Sequence, residues 1–145
     1  MKYLSVLFFF AKAVFAFGQS SIDYQLITNS WTEGKINSEG VVIQADINRG
    51  GWYRLNINSG GTVIFGDPFS CGFGSERQGK WTLKETDSTL SFTFSKRVGY
   101  MNSPGATEIK ETEIYKIIKL TTDELILMQL VNGNKQMLPF IKTKE

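Results

Sequence analysis

The chain has 145 residues, 16 basic and 14 acidic side chains, one cysteine and no histidine. At this length a single domain is the default, and such a domain can bury a working core without cross-links. The lack of histidine removes the commonest general base and transition-metal ligand, and one cysteine rules out both an intramolecular disulfide and the usual structural zinc sites.

Residues 1–18 read as a secretory leader. Met1-Lys2 gives a positive start, and Leu4 to Phe17 is an apolar run, broken by Lys12, that is too short to cross a bilayer. Cleavage after Gly18 leaves small residues, Ala16 and Gly18, at the recognition positions; cleavage after Ala16 is the alternative. The expectation is a mature domain over 19–145, periplasmic or extracellular. It has no lipid-anchoring cysteine after the leader and no second long apolar run. Without Lys2 and Lys12 the balance is 14 basic against 14 acidic residues, so the charge gives no reason to expect a nucleic-acid partner.

The mature chain alternates apolar and polar residues between turn-forming clusters, the pattern of antiparallel strands with one hidden face. Leu26 to Trp31 is expected as the first strand, and Thr32 to Gly40 as a loop. Val41, Ile43, Ala45 and Ile47 are expected to share an inner face. Asn48-Arg49-Gly50-Gly51 has hairpin-turn chemistry. Tyr53, Leu55 and Ile57 then alternate with Arg54 and Asn56. Asn58-Ser59-Gly60-Gly61 is a second turn, and Thr62 to Phe65 a short strand. Gly66 to Gln78 reads as a loop carrying Phe69, Cys71 and Phe73, and connections of that length are often functional.

The pattern is clearest from Gly79 onward. Trp81 and Leu83 share a face; Lys84 to Ser88 is a turn; Leu90, Phe92 and Phe94 point inward. Val98 to Ala106 reads as a loop. Thr107 to Leu120 is long for one strand, which predicts a bulge. Leu125 to Val131 is read as a strand, although Thr121-x-x-Glu124 would also suit a helix cap. Asn132-Gly133-Asn134 turns the chain into a last strand, Gln136 to Ile141, in which Pro139 belongs at an edge or a closure point. Eight or nine short antiparallel strands in sequence predict an all-β fold, a small up-and-down barrel in preference to a sandwich.

The motifs Leu26–Trp31, Tyr53–Thr62, Gly79-Lys80-Trp81-Thr82-Leu83 with Leu90–Phe94, and Tyr115-Lys116-Ile117 with Leu120–Leu127 follow the order found in a known family. Over most of the mature chain this order resembles the lipocalin-like secreted proteins of the Bacteroidetes group of bacteria. The glycine of a true lipocalin's Gly-x-Trp is absent, since Asn29-Ser30-Trp31 stands there. The resemblance implies a lipocalin-like barrel with a pocket, and no particular ligand.

The leading functional expectation is a non-enzymatic module that binds a small apolar or amphipathic ligand. Its interior would be lined by Tyr53, Leu55, Trp81, Leu83, Phe92, Phe94, Tyr115, Ile117, Leu125 and Leu127. The alternative is a filled-core barrel that binds protein or glycan through the 66–78 loop, with Phe69 and Phe73 as contacts. No cofactor, no metal, no nucleic acid and no membrane span are expected. Glu108, Glu111 and Glu113 are read as a solvated outer face or strand end. Cys71 reads as an inert thiol more readily than a reactive one. Trp52 could present a platform to a sugar or partner, or pack under a neighbouring loop.

Overall fold

The computed structural model describes residues 22–46, 53–66, 74–99 and 105–144. A single helical turn, α1 (Tyr24–Ile27), precedes nine strands: β1 (Ser30–Ile36), β2 (Val42–Gln44), β3 (Arg54–Ile57), β4 (Thr62–Gly66), β5 (Ser75–Lys84), β6 (Thr89–Gly99), β7 (Gly105–Leu120), β8 (Glu124–Val131) and β9 (Asn134–Lys142). Every pairing is antiparallel, in the order β1-β3-β4-β5-β6-β7-β8-β9, and β9 returns to β1 through Trp31–Lys142, Thr32–Ile141 and Glu33–Phe140. Eight strands therefore close an up-and-down barrel, and β2 is an extra strand pairing only with β1.

Alternation explains most of this. Leu55 and Ile57, Val63 and Phe65, Leu90, Phe92 and Phe94, Tyr115 and Ile117, Leu125 and Leu127 are all buried, and together with Trp31, Trp81 and Phe140 they make one core. Burying each such side chain contributes roughly 1.5–3 kcal/mol. The turns use the residues their geometry requires. Asn132 and Gly133, both at positive φ, join β8 to β9 as a two-residue hairpin. Pro139 pairs with Ile126, one residue short of the ladder that closes the barrel.

Two irregularities bend the long strands. On β6 the register slips at Ser95, between Phe94 and Lys96, against both neighbours; on β7 it slips at Ile118. Gly79 lies opposite the first bulge. A Cβ there would sit 2.1 Å from the Thr93 carbonyl oxygen, so the bend requires glycine.

Helix α1 covers one end of the barrel. Asp23 caps it by accepting the Gln25 N–H at 2.8 Å. The Trp31 indole N–H donates to the Ile27 carbonyl at 3.2 Å, and the Tyr24 ring lies 4.9 Å from that of Trp81. The Trp81 indole in turn donates to Asn58 O at 2.9 Å.

Strand β2 covers part of the outer wall. Ile126 points outward between the inward Leu125 and Leu127, yet it is buried, as is Val42. Gly34 lets this happen, because a Cβ there would meet Val42 at 2.5 Å. The Val42 N–H also donates to Glu124 Oε1 at 2.8 Å.

Several expectations change. The first strand starts at Ser30 and runs on through Glu33, Gly34 and Lys35, residues expected in a loop; Leu26-Ile27 belongs to α1. Backbone ladders to β3, β9 and β2 hold β1, so its polar side chains do not end it. The face of β2 is inverted: Val42 is buried, while Val41 and Ile43 are exposed. Ser75 to Gln78 belong to β5, Val98-Gly99 to β6 and Gly105-Ala106 to β7, all residues expected in loops. The leader, the Asn48–Gly51 turn, Ile47, Trp52, Phe69, Cys71 and Phe73 lie outside the described residues.

Candidate functional site

All ten interior candidates belong to the barrel's inner surface, but they fill it. Leu55, Phe92 and Leu127 expose nothing to solvent; Phe94, Tyr115, Trp81 and Ile117 are buried, and Tyr53 and Leu83 pack partly buried against the same cluster. Leu125 is equally enclosed. The Phe92 ring has neighbours at 6.4 Å (Phe65), 6.0 Å (Phe94) and 5.2 Å (Tyr115). A side chain with no surface reachable by water borders no void that a ligand could enter. The α1-capped half of the barrel is therefore packed solid.

Toward the opposite, distal end the interior becomes polar. The strand residues sharing the inner face with Tyr115 and Ile117 on β7 are Glu113 and Glu111. They are not on the outer wall. Two strands away, Arg77 on β5 reaches across to them: its Nη1 donates to Glu113 Oε1 at 2.6 Å and to Glu111 Oε2 at 3.3 Å. Arg97 on β6 donates to the other Glu111 oxygen at 3.1 Å. The Tyr115 hydroxyl donates to Glu113 Oε2 at 2.5 Å. Two carboxylates that would repel on a bare strand are thus held by two guanidiniums.

Arg77 is the anchor. Only 11% of its side chain is exposed, and its guanidinium lies 4.4 Å from the Phe94 ring centroid and 5.2 Å from that of Phe65. Such stacking suits arginine, whose planar, weakly hydrated cation combines ring contact with forked hydrogen bonds. Exposure then rises outward, from 23% at Glu113 to 38% at Glu111 and 45% at Arg97. Burial raises the Tyr115 phenol far above its ordinary pKa, and its hydrogen bond to anionic Glu113 adds to the effect. That hydroxyl is a donor at all ordinary pH and no general base.

The distal mouth therefore has a charged, hydrogen-bonded floor, Arg77–Glu113–Tyr115, and a solvent-reaching rim, Arg97–Glu111. The Tyr53 ring stands at its edge, 5.8 Å from Phe65. The arrangement can hydrogen-bond a polar group of either sign and place an apolar group against Tyr53. Sequence reading placed the glutamates outside because their partner, Arg77, is more than thirty residues away across an intervening strand. The one available signal was parity: Glu111 and Glu113 fall in step with Tyr115 and Ile117.

No protein-family model, no curated protein and no solved structure matches the chain.

Proposed function

We propose that this chain is an exported, non-enzymatic binding barrel of the lipocalin-like kind, which takes a small amphipathic ligand at its distal mouth. The carrying observation is the Arg77-centred network. A charged cluster set into a barrel's inner face is expensive to desolvate and is seldom the most stabilising way to fill the space. Its outer members, Arg97 and Glu111, reach solvent and can exchange their pairing for a ligand's polar group. The solid apolar half beneath serves as scaffold, so the ligand sits shallowly and is not swallowed. The absence of histidine from the sequence and the neutralised glutamates leave no evident acid–base pair for catalysis.

The test is to export the full chain, purify it gently and compare native with denaturing mass spectra. A small molecule retained natively and released on denaturation is expected, and adding it back should raise the melting temperature. The double neutral variant Arg97→Gln/Glu111→Gln should lose that rise. A ligand bound equally well by the double variant would place the site elsewhere. A melt unmoved by a broad lipid and metabolite screen would overturn the reading.

The solid interior also favours a second reading, a filled-core interaction module that docks protein or glycan through the loop beyond β4. Deleting residues 67–73 would then abolish partner capture and leave the fold intact.

A further inference from the structure

A second concavity lies on the outside of the barrel, away from the distal mouth. It is a groove of about 480 Å³ across β9, β1 and β3, lined by Ser30, Thr32, Arg54, Asn56, Ile141 and Thr143, with Gln44 from β2 and Lys142 and Lys144 completing it. The register fixes which side chains face it. Ser30 lies opposite Asn56, and Thr32 opposite both Arg54 and Ile141. Opposed residues share a face. Trp31 and Leu55, opposite each other and buried, take the inner face, so the Ser30–Asn56 and Thr32–Arg54 pairs look outward into the groove.

We propose that this groove binds the oxyanion of a phosphate or sulfate monoester. The Arg54 guanidinium faces it and no carboxylate lines it; Lys142, which shares the Trp31 side of the ladder, and Lys144 sit at its margin. Arg54, Lys142 and Lys144 form no ion pair among the described residues. Of the acids around it, Glu124, opposite Ile141, pairs with Lys119, Asp46 pairs with Lys35 at 2.6 Å, and Glu33 accepts the Tyr53 N–H through Oε2; Asp123, whose carbonyl accepts the Lys142 N–H, does not line the groove. An unopposed guanidinium offers the forked donor geometry that an oxyanion accepts.

The hydroxyls point the same way. Thr32 is 9% exposed, the one buried polar residue among those described, and its Oγ1 lies 2.8 Å from Thr143 Oγ1. Two hydroxyls carry two protons, and their mutual bond uses one. The other remains to donate into the groove beside Arg54. Asn56 and Gln44 add amide donors. The groove offers no aromatic face, because the Trp31 ring is wholly enclosed. A neutral sugar or a nucleobase would find no stacking platform, so charge and hydrogen bonding must carry recognition. The volume lies within the range of small-molecule sites, roughly 300–1,000 Å³.

Amide NMR titration of the exported protein tests this, with glucose 6-phosphate, glucose 6-sulfate and glucose as probes. At least one ester should give saturable shifts at Thr32, Arg54, Asn56 and Thr143, weakening as salt rises. Response to the phosphate alone, the sulfate alone or both would identify the source of the oxyanion. Arg54→Gln should weaken ester binding about tenfold or more, while the amide spectrum of the core shows the fold intact. Glucose binding as well as the esters, shifts confined to the distal mouth, an Arg54→Gln variant of unchanged affinity, or no saturable shift at all would each overturn the proposal.

Discussion

At the scale of single residues, Arg77 and Tyr115 define the distal end. Removing Arg77 strands Glu113 beneath the rim, with only the Tyr115 hydroxyl left to bond it among the described residues. Breaking a buried pair costs about 3–5 kcal/mol, and the partial exposure of Glu113 places Arg77→Leu near the lower end. Urea unfolding at neutral pH measures this, and adding Glu113→Gln in the same chain should recover part of the loss. Tyr115 makes a pH prediction. Its phenol stays protonated in the folded barrel well above the ordinary value of 10.0, while in the unfolded chain it ionises at that value. The unfolded state therefore binds fewer protons above that pH, and stability must fall as pH rises through it. Tyr115→Phe removes this dependence together with the bond to Glu113. The variant should be about 1.5–3 kcal/mol less stable at pH near 8, by the worth of a hydrogen bond to a charged group. The gap should narrow at pH near 11, and denaturant midpoints for both proteins at the two pH values test it.

At the scale of elements, the bends and the flap depend on glycines at close approaches. Gly79→Ala would drive a Cβ into backbone atoms of Thr93 and Phe94, and neither can rotate away as a side chain would. The β5–β6 bulge must shift, at a cost of about 1–3 kcal/mol. Thermal melts would show it, and an unchanged melting temperature would mean the bulge is plastic. The flap behaves differently. Val42→Ala removes about two methylene equivalents from the buried Val42 side chain, roughly 1.6 kcal/mol. Val42 and Ile126 lie outside the main core cluster, so the loss should fall on local opening. Amide exchange should quicken for β2 and leave β5 to β8 nearly unchanged. These two elements also mark how far the sequence could be read. The apolar middles of strands β3 to β9 announce themselves, because each hides one face, and Leu90-x-Phe92-x-Phe94 fixes its inward side without ambiguity, whereas the polar ends of β5, β6 and β7 read as loops. Strand β1 does not, because backbone ladders carry it through Glu33, Gly34 and Lys35. The face of β2 was misread because it packs against the outside of the barrel, where inner-face alternation does not apply. The Arg77–Glu113 pair was invisible because Arg77 falls in a stretch that reads as a loop, and only the closed sheet brings it to Glu113 across β6.

At the scale of the whole molecule, closure depends on β1 and β9, which join the two ends of the described chain. The Thr32–Thr143 bond spans 111 residues, and three residue pairs make the closing ladder. All other neighbours around the barrel are sequential, apart from β1 and β3, which flank the β2 flap. Loop-closure entropy makes long-range pairing slow to form, and sheets dominated by it fold in roughly milliseconds to seconds. The hairpins from β3 through β9 can assemble first, and β1 can dock on the exposed edge of β9 last. Phe140 reports on this step, and it also pairs with Leu125 in the β8–β9 hairpin. It pairs with Glu33 in the closing ladder, is buried, and sits 6.2 Å from the Phe65 ring. Phe140→Ala should cost about 3–5 kcal/mol, a large share of the roughly 5–15 kcal/mol that holds a domain folded. If closure follows the rate-limiting step, that loss must appear almost entirely as faster unfolding. Stopped-flow denaturant kinetics followed by tryptophan fluorescence would show the unfolding limb raised and the folding limb barely moved. A folding limb that carries the loss instead would put the β1–β9 seam inside the folding nucleus, with the barrel closing before its hairpins are complete.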